Sequence, residues 1–164
     1  MNFQFYLEKL YSSDIFKKFM KENPKAYLCS GFFTVDKEGK DNQRHLDFYI
    51  PNIKKMFSFR LEKEIEKIPV ETLTKKVPPK MKQDFDFNFE DVEKMIVDEM
   101  KKRDITNKLQ KIIFSLQNIK GRNFLICTVF IGMLGLLKIH INLQEKKISL
   151  FEKKSFFDLV RRVK

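Results

Sequence analysis

Between Phe124 and Leu137 the chain reads FLICTVFIGMLGLL, fourteen residues without a charge in a protein of formal net charge +11. What this run becomes decides what kind of molecule the chain can form. Its continuation sets Leu137, Ile139, Ile141 and Leu143 against Lys138, His140, Asn142 and Gln144. A period of two belongs to a half-buried strand, not to a helix. A bilayer span needs about twenty apolar residues, whereas runs of roughly 10–14 go more often into a core. Gly132 and Gly135 stand where two such strands would turn back on each other. The sequence therefore predicts a hairpin inside a core and no transmembrane segment.

Upstream, Phe3, Tyr6/Leu7, Leu10/Tyr11, Phe16 and Phe19/Met20 recur at helical spacing, interrupted at Ser12-Ser13-Asp14 and stopped by Asn23-Pro24. Strand patterns follow over Ala26–Val35, His45–Ile50 and Met56–Leu61. From 62 to 87 the pattern fades into prolines and lysines, and a linker is expected there. Asn88 and Asp91 resemble a capping box opening a second helix, and Lys101-Lys102-Arg103 suits its C-terminal dipole. Strands are expected at Leu109–Gln117, in the uncharged hairpin and at Lys147–Phe151. A closing helix is expected from Ser155 to about Val163.

Halves 1–61 and 88–164 thus each begin with a helix and continue as a meander, joined by linker 62–87. The expected fold is a single α+β domain with a predominantly antiparallel sheet of about seven strands and helices packed on the sheet. No repeat is visible at the level of residues. The strand Leu125–Ile131 is apolar on both sides and is expected to be central and covered on both faces. If all helices lie on one face, the bare side would favour a homodimer across a two-fold axis.

Charge is placed unevenly. Residues 1–100 carry 18 Lys/Arg and 18 Asp/Glu, while residues 101–164 carry 15 against 4. This asymmetry points to an anionic partner for the C-terminal half, nucleic acid or an acidic protein, against the plainer reading of a solvated basic surface. The candidate contacts are Lys101, Lys102, Arg103, Lys120, Arg122, Lys146, Lys147, Lys153, Lys154, Arg161 and Arg162. Exposed aromatics would have to join them for base stacking, and most Phe positions point to the core.

Chemistry-bearing motifs are few. Asp84-Phe-Asp-Phe-Asn-Phe-Glu opens like a calcium loop, but Phe89 replaces the sixth-position glycine and Met95 the bidentate acid. His45 and His140 lack metal-ligand spacing, and Cys29 and Cys127 lie in apolar strands where a thiol is inert. There is no glycine-rich phosphate loop and no nucleophile elbow. Neither cofactor nor metal nor catalytic set is implied, and a non-enzymatic binding or assembly module is expected. The alternative enzyme, hydrolase- or transferase-like, would gather dispersed residues, first His45, Asp47 and Tyr49 near Arg60. The apolar stripe of the final helix, Ser155–Lys164, would suit a membrane surface or, more simply, the sheet. The absence of a visible signal peptide predicts a soluble cytoplasmic protein.

ENPKAYLCSGFFTVD (22–36), IVDEMKKR (96–103) and KLQKIIFSLQ leading to GLLKIHI (108–141) resemble small uncharacterised proteins of DPANN-type archaea. The likeness runs over nearly the full length through the order of segments. It implies a cytosolic archaeal protein and transfers no functional residues.

Overall fold

The alternation that dominates the C-terminal half becomes a continuous antiparallel ladder in the computed structural model, which describes residues 2–71 and 76–155. Strands β5 (Leu109–Ile119), β6 (Arg122–Ile131), β7 (Gly135–Asn142) and β8 (Lys147–Ser155) form one meander. Strands β1 (Tyr27–Asp36), β2 (Arg44–Ile50), β3 (Lys55–Arg60) and β4 (Glu66–Val70) form another. The two join through β1 and β5, where Phe33 stands opposite Phe114, giving one eight-stranded sheet of order β4-β3-β2-β1-β5-β6-β7-β8. The order reads the same outward from the middle in both directions. A helix-plus-meander unit is therefore used twice, back to back.

The class and the antiparallel sheet agree with the sequence reading, but the strands among the described residues number eight. The additional strand, β4, lies inside 62–87, where the pattern suggested a linker. Pro69 is tolerated there because β4 is an edge strand, paired only with β3. Residues 78, 81 and 85 of that segment are also tied down. Met81 N–H donates to the Leu28 carbonyl at 2.9 Å, Tyr27 Oη donates to the Pro78 carbonyl at 2.6 Å, and Met81 and Phe85 are buried.

Three helices cover one face of the sheet among the described residues. Helix α1 (Phe3–Tyr11) ends at Ser12, and Ser13 caps α2 (Asp14–Glu22) by accepting from the Phe16 N–H. Phe16 and Phe19 of α2 pack edge-on against Phe48 and Phe59, at centroid distances of 5.0 to 6.3 Å. Helix α3 (Phe89–Lys102) is capped by Asn88, which accepts from the N–H groups of Glu90 and Asp91. It buries Val92, Ile96 and Met100 on the same face, and Phe89 lies 5.5 Å from Phe114. Burying one such ring contributes roughly 1.5–3 kcal/mol, more than the roughly 1 kcal/mol of a cap. The aromatic cluster, not the caps, therefore fixes the helices on the sheet.

The alternate side chains of the strands point the other way. Leu125, Cys127, Val129 and Ile131 of β6 are buried under the helices, whereas Phe124 and Ile126 are half-buried and Phe130 is exposed. Strand β6 is thus covered on one side only among the described residues, against the expectation of cover on both. Strand β8 runs to Ser155, the expected cap of the closing helix. The remainder of the expected closing helix, with Arg161 and Arg162, lies outside the described residues. No described helix is long and apolar enough to cross a membrane.

Candidate functional site

Two hairpin turns stand side by side at one end of the sheet. Lys120 and Gly121 connect β5 to β6, and residues 143–146 connect β7 to β8. Lys120 (φ 51°), Gly121 (φ 81°) and Lys146 (φ 54°) all have left-handed backbones, which only glycine adopts without cost. Three asparagines hold this end. Asn118 Nδ2 donates to Asn123 Oδ1 (3.0 Å), and Asn118 Oδ1 accepts from the Gly121 N–H. Asn142 Oδ1 accepts from the N–H groups of Gln144 and Glu145, which shapes the second turn. All three amides are buried, where polar groups must find partners. The Leu143 N–H donates to the Asn123 carbonyl and links the turns, while Asn123 Nδ2 donates to the Lys82 carbonyl and draws in residue 82.

This scaffold presents Lys82, Lys120, Arg122, Lys146 and Lys147, all exposed. None forms an ion pair with a described residue, and Glu145 is the acid within the two turns. Like charges gathered on rigid turns create a positive potential that an anionic partner relieves. Four of the residues expected from the sequence, Lys120, Arg122, Lys146 and Lys147, therefore meet here. Lys82 was missed because its segment reads as a linker.

The other expected contacts lie elsewhere. Lys101 and Lys102 are exposed in the last turn of α3. Arg103 has its Nε 3.0 Å from Glu99 Oε1 and its guanidinium 4.2 Å above the Phe151 ring, clasping the end of α3 to β8. Lys153 is exposed near the far end of β8, and Lys154 pairs with Glu152 at 3.6 Å. The basic residues thus form one cluster at the sheet end and scattered positions beyond it.

The residues first considered for chemistry do not converge. His45, Asp47 and Tyr49 share the bare face, with His45 opposite Arg60. Yet His45 Nε2 pairs with Glu62 at 3.0 Å, Asp47 accepts from Ser30 Oγ at 2.7 Å, and Tyr49 leans on Tyr27. Asp86 of the calcium-like stretch accepts from Asn2 Nδ2 and from the N–H groups of Gln4 and Phe87. It pins the start of α1, and no metal-binding cluster of three ligands occurs among the described residues. Burial pushes the Cys29 thiol up to about 12, with Asp47 adding to the effect, and burial raises Cys127 as well. Both are poor nucleophiles. His140 on the bare face is held below its ordinary value by burial and by Lys138.

No family model matches this chain, and no curated protein is similar to it. Among solved structures it is similar to the crystal structure of a "putative lipoprotein" from Clostridium difficile 630. The TM-score is 0.59 at 10% identity, over 86% of this chain and 91% of that one. The likeness is one of fold.

Proposed function

We propose that this protein is a non-enzymatic cytoplasmic binding module that meets an anionic partner through the basic end of its sheet. One observation carries the reading: at a sheet end braced by buried asparagines, four exposed cations in or next to two turns, with Lys82 beside them, form no ion pair with a described residue. A merely solubilising surface needs neither the bracing nor the left-handed lysines.

Nucleic acid is the more specific form of this partner. Phe124 stands on the bare face beside the basic end, with Phe32 and Phe130 farther along the same face, and bases stack on such rings. Fluorescence anisotropy with single-stranded RNA, single-stranded DNA and polyglutamate across a salt series tests both forms. Neutralising about five phosphates gives roughly a 100-fold loss of affinity from about 50 to about 200 mM salt. Replacing Lys120, Arg122, Lys146 and Lys147 together by Glu should weaken binding at least about tenfold with the fold intact by circular dichroism. Phe124→Ala should weaken the nucleic acids alone. A charge-reversed variant that binds as tightly as the original, or no polyanion binding at low salt, overturns the reading.

A further inference from the structure

A second site lies on the opposite, helix-covered face. A cleft of about 500 Å³ opens between α1, the edge of β1–β2 and the start of α3. That is the size of a small-molecule site, and Phe5, Tyr6, Phe33 and Phe89 give its walls four rings. Phe5 at its rim is 44% exposed although it sits on a helix that otherwise buries its large apolar side chains.

The polar groups in the cleft are unequally engaged. Glu62 Oε1 accepts the Arg44 backbone N–H at 2.9 Å and pairs with His45, and Glu90 is engaged as well. Both acids therefore already have partners. The donors do not. Arg44 lies with its guanidinium 5.4 Å from the centroid of the Tyr6 ring and makes no side-chain hydrogen bond or ion pair to a described residue. A guanidinium placed over a ring and without hydrogen bonds of its own keeps its N–H groups for a ligand. Asn42 uses its carbonyl oxygen to accept the Asp36 N–H and leaves its amide N–H groups over. Lys9 donates one bond, to the Leu61 carbonyl at 3.0 Å, and its ammonium can make more. The Arg44 backbone is fixed from both sides, since its carbonyl also accepts the Leu61 N–H at 2.9 Å.

We infer that this cleft binds a small organic carboxylate with an apolar body, the carboxylate on the Arg44 fork and the body against Phe5 and Phe89. A surplus of donors around rings calls for an acceptor-rich head on a hydrophobic frame, and the planar guanidinium matches a carboxylate in two-point geometry. This site is independent of the basic sheet end.

Benzoate, octanoate and 1-naphthoate are the probes, with 1-naphthamide as the uncharged control. The chain has no Trp, so naphthoate fluorescence reads binding without tryptophan background. Naphthoate should bind at least about tenfold more tightly than naphthamide. Arg44→Met should abolish that preference, and Phe5→Ser should weaken acid and amide alike. Arg44→Lys keeps the charge but loses the fork, and should lower naphthoate affinity several-fold, which decides the matter if Arg44→Met does not fold. The Lys120, Arg122, Lys146 and Lys147 variant should bind naphthoate normally. Equal binding of acid and amide, a preference that survives in both Arg44 variants, or no saturable binding of any acid up to about 10 mM overturns the assignment.

Discussion

Lys120 and Lys146 occupy backbone positions that cost a side-chain-bearing residue of order 1 kcal/mol and cost glycine almost nothing. Selection for stability alone would place glycine at both, as it does at Gly121. Lys120→Gly and Lys146→Gly should each stabilise the fold by about 0.5–1 kcal/mol in urea denaturation and should weaken polyanion binding. Destabilisation by either substitution would show that the lysine stem packs into the turn and that strain is not retained for charge. His140 gives a pH-dependent counterpart. Its Nε2 is a buried atom without a hydrogen-bond partner among the described residues, and Ile126 and Leu150 stand opposite it on the neighbouring strands. Lys138 opposes its protonation and Glu152 favours it, with burial the larger influence. The folded group therefore titrates below the ordinary 6.5. The unfolded chain takes up the proton first, so stability is highest above that value and declines as pH falls through it. Replacing His140 by Leu should flatten the decline between about pH 7 and about pH 5, measured by thermal melts. Parallel profiles for the two proteins would assign the decline to other groups.

At the scale of elements, helix placement rests on rings. Phe19 is 1% exposed and meets Phe16, Phe48, Phe57 and Phe59. Phe19→Ala should therefore cost about 3–5 kcal/mol, against about 1 kcal/mol for Ser13→Ala at the cap of the same helix. A Phe19 cost of the same size as the cap's would mean that α2 is held by local structure instead. The elements that sequence reading recovers are those whose signal is local. The alternation of 137–143 survives because one face of β7 is buried, and Asn88 with Asp91 marks the start of α3 because an N-cap acts within one turn. Strand β4 was illegible because Glu66, Lys67 and Pro69 carry no period, and an edge strand in contact with one neighbour needs none. The buried amides of Asn118, Asn123 and Asn142 were illegible for another reason. Each looks like an ordinary turn residue until three strand ends meet. Arg44 likewise reads as a charge beside a strand, and only the helix lying over it makes it a wall of a cleft.

In the whole molecule, the sheet separates two kinds of surface. One end carries charge on braced turns, and the helix-covered side carries a cleft with unequal donors and acceptors. The clustering of four expected cations followed from neighbouring hairpins, whereas Lys101, Lys102, Lys153 and Lys154 went elsewhere because α3 and β8 carry them away from those turns. Strand order has a temporal consequence as well. The outer strands are guarded, β4 by Pro69 and its charges and β8 by Lys147, Glu152, Lys153 and Lys154. The strands that meet in the middle are not: along their shared ladder β1 offers Phe33 and Val35, and β5 offers Ile112 and Phe114. On the ribosome the first meander is finished before β5 exists. For that interval β1 is an open, adhesive border, and two nascent chains brought together would find in each other the partner that each has yet to make.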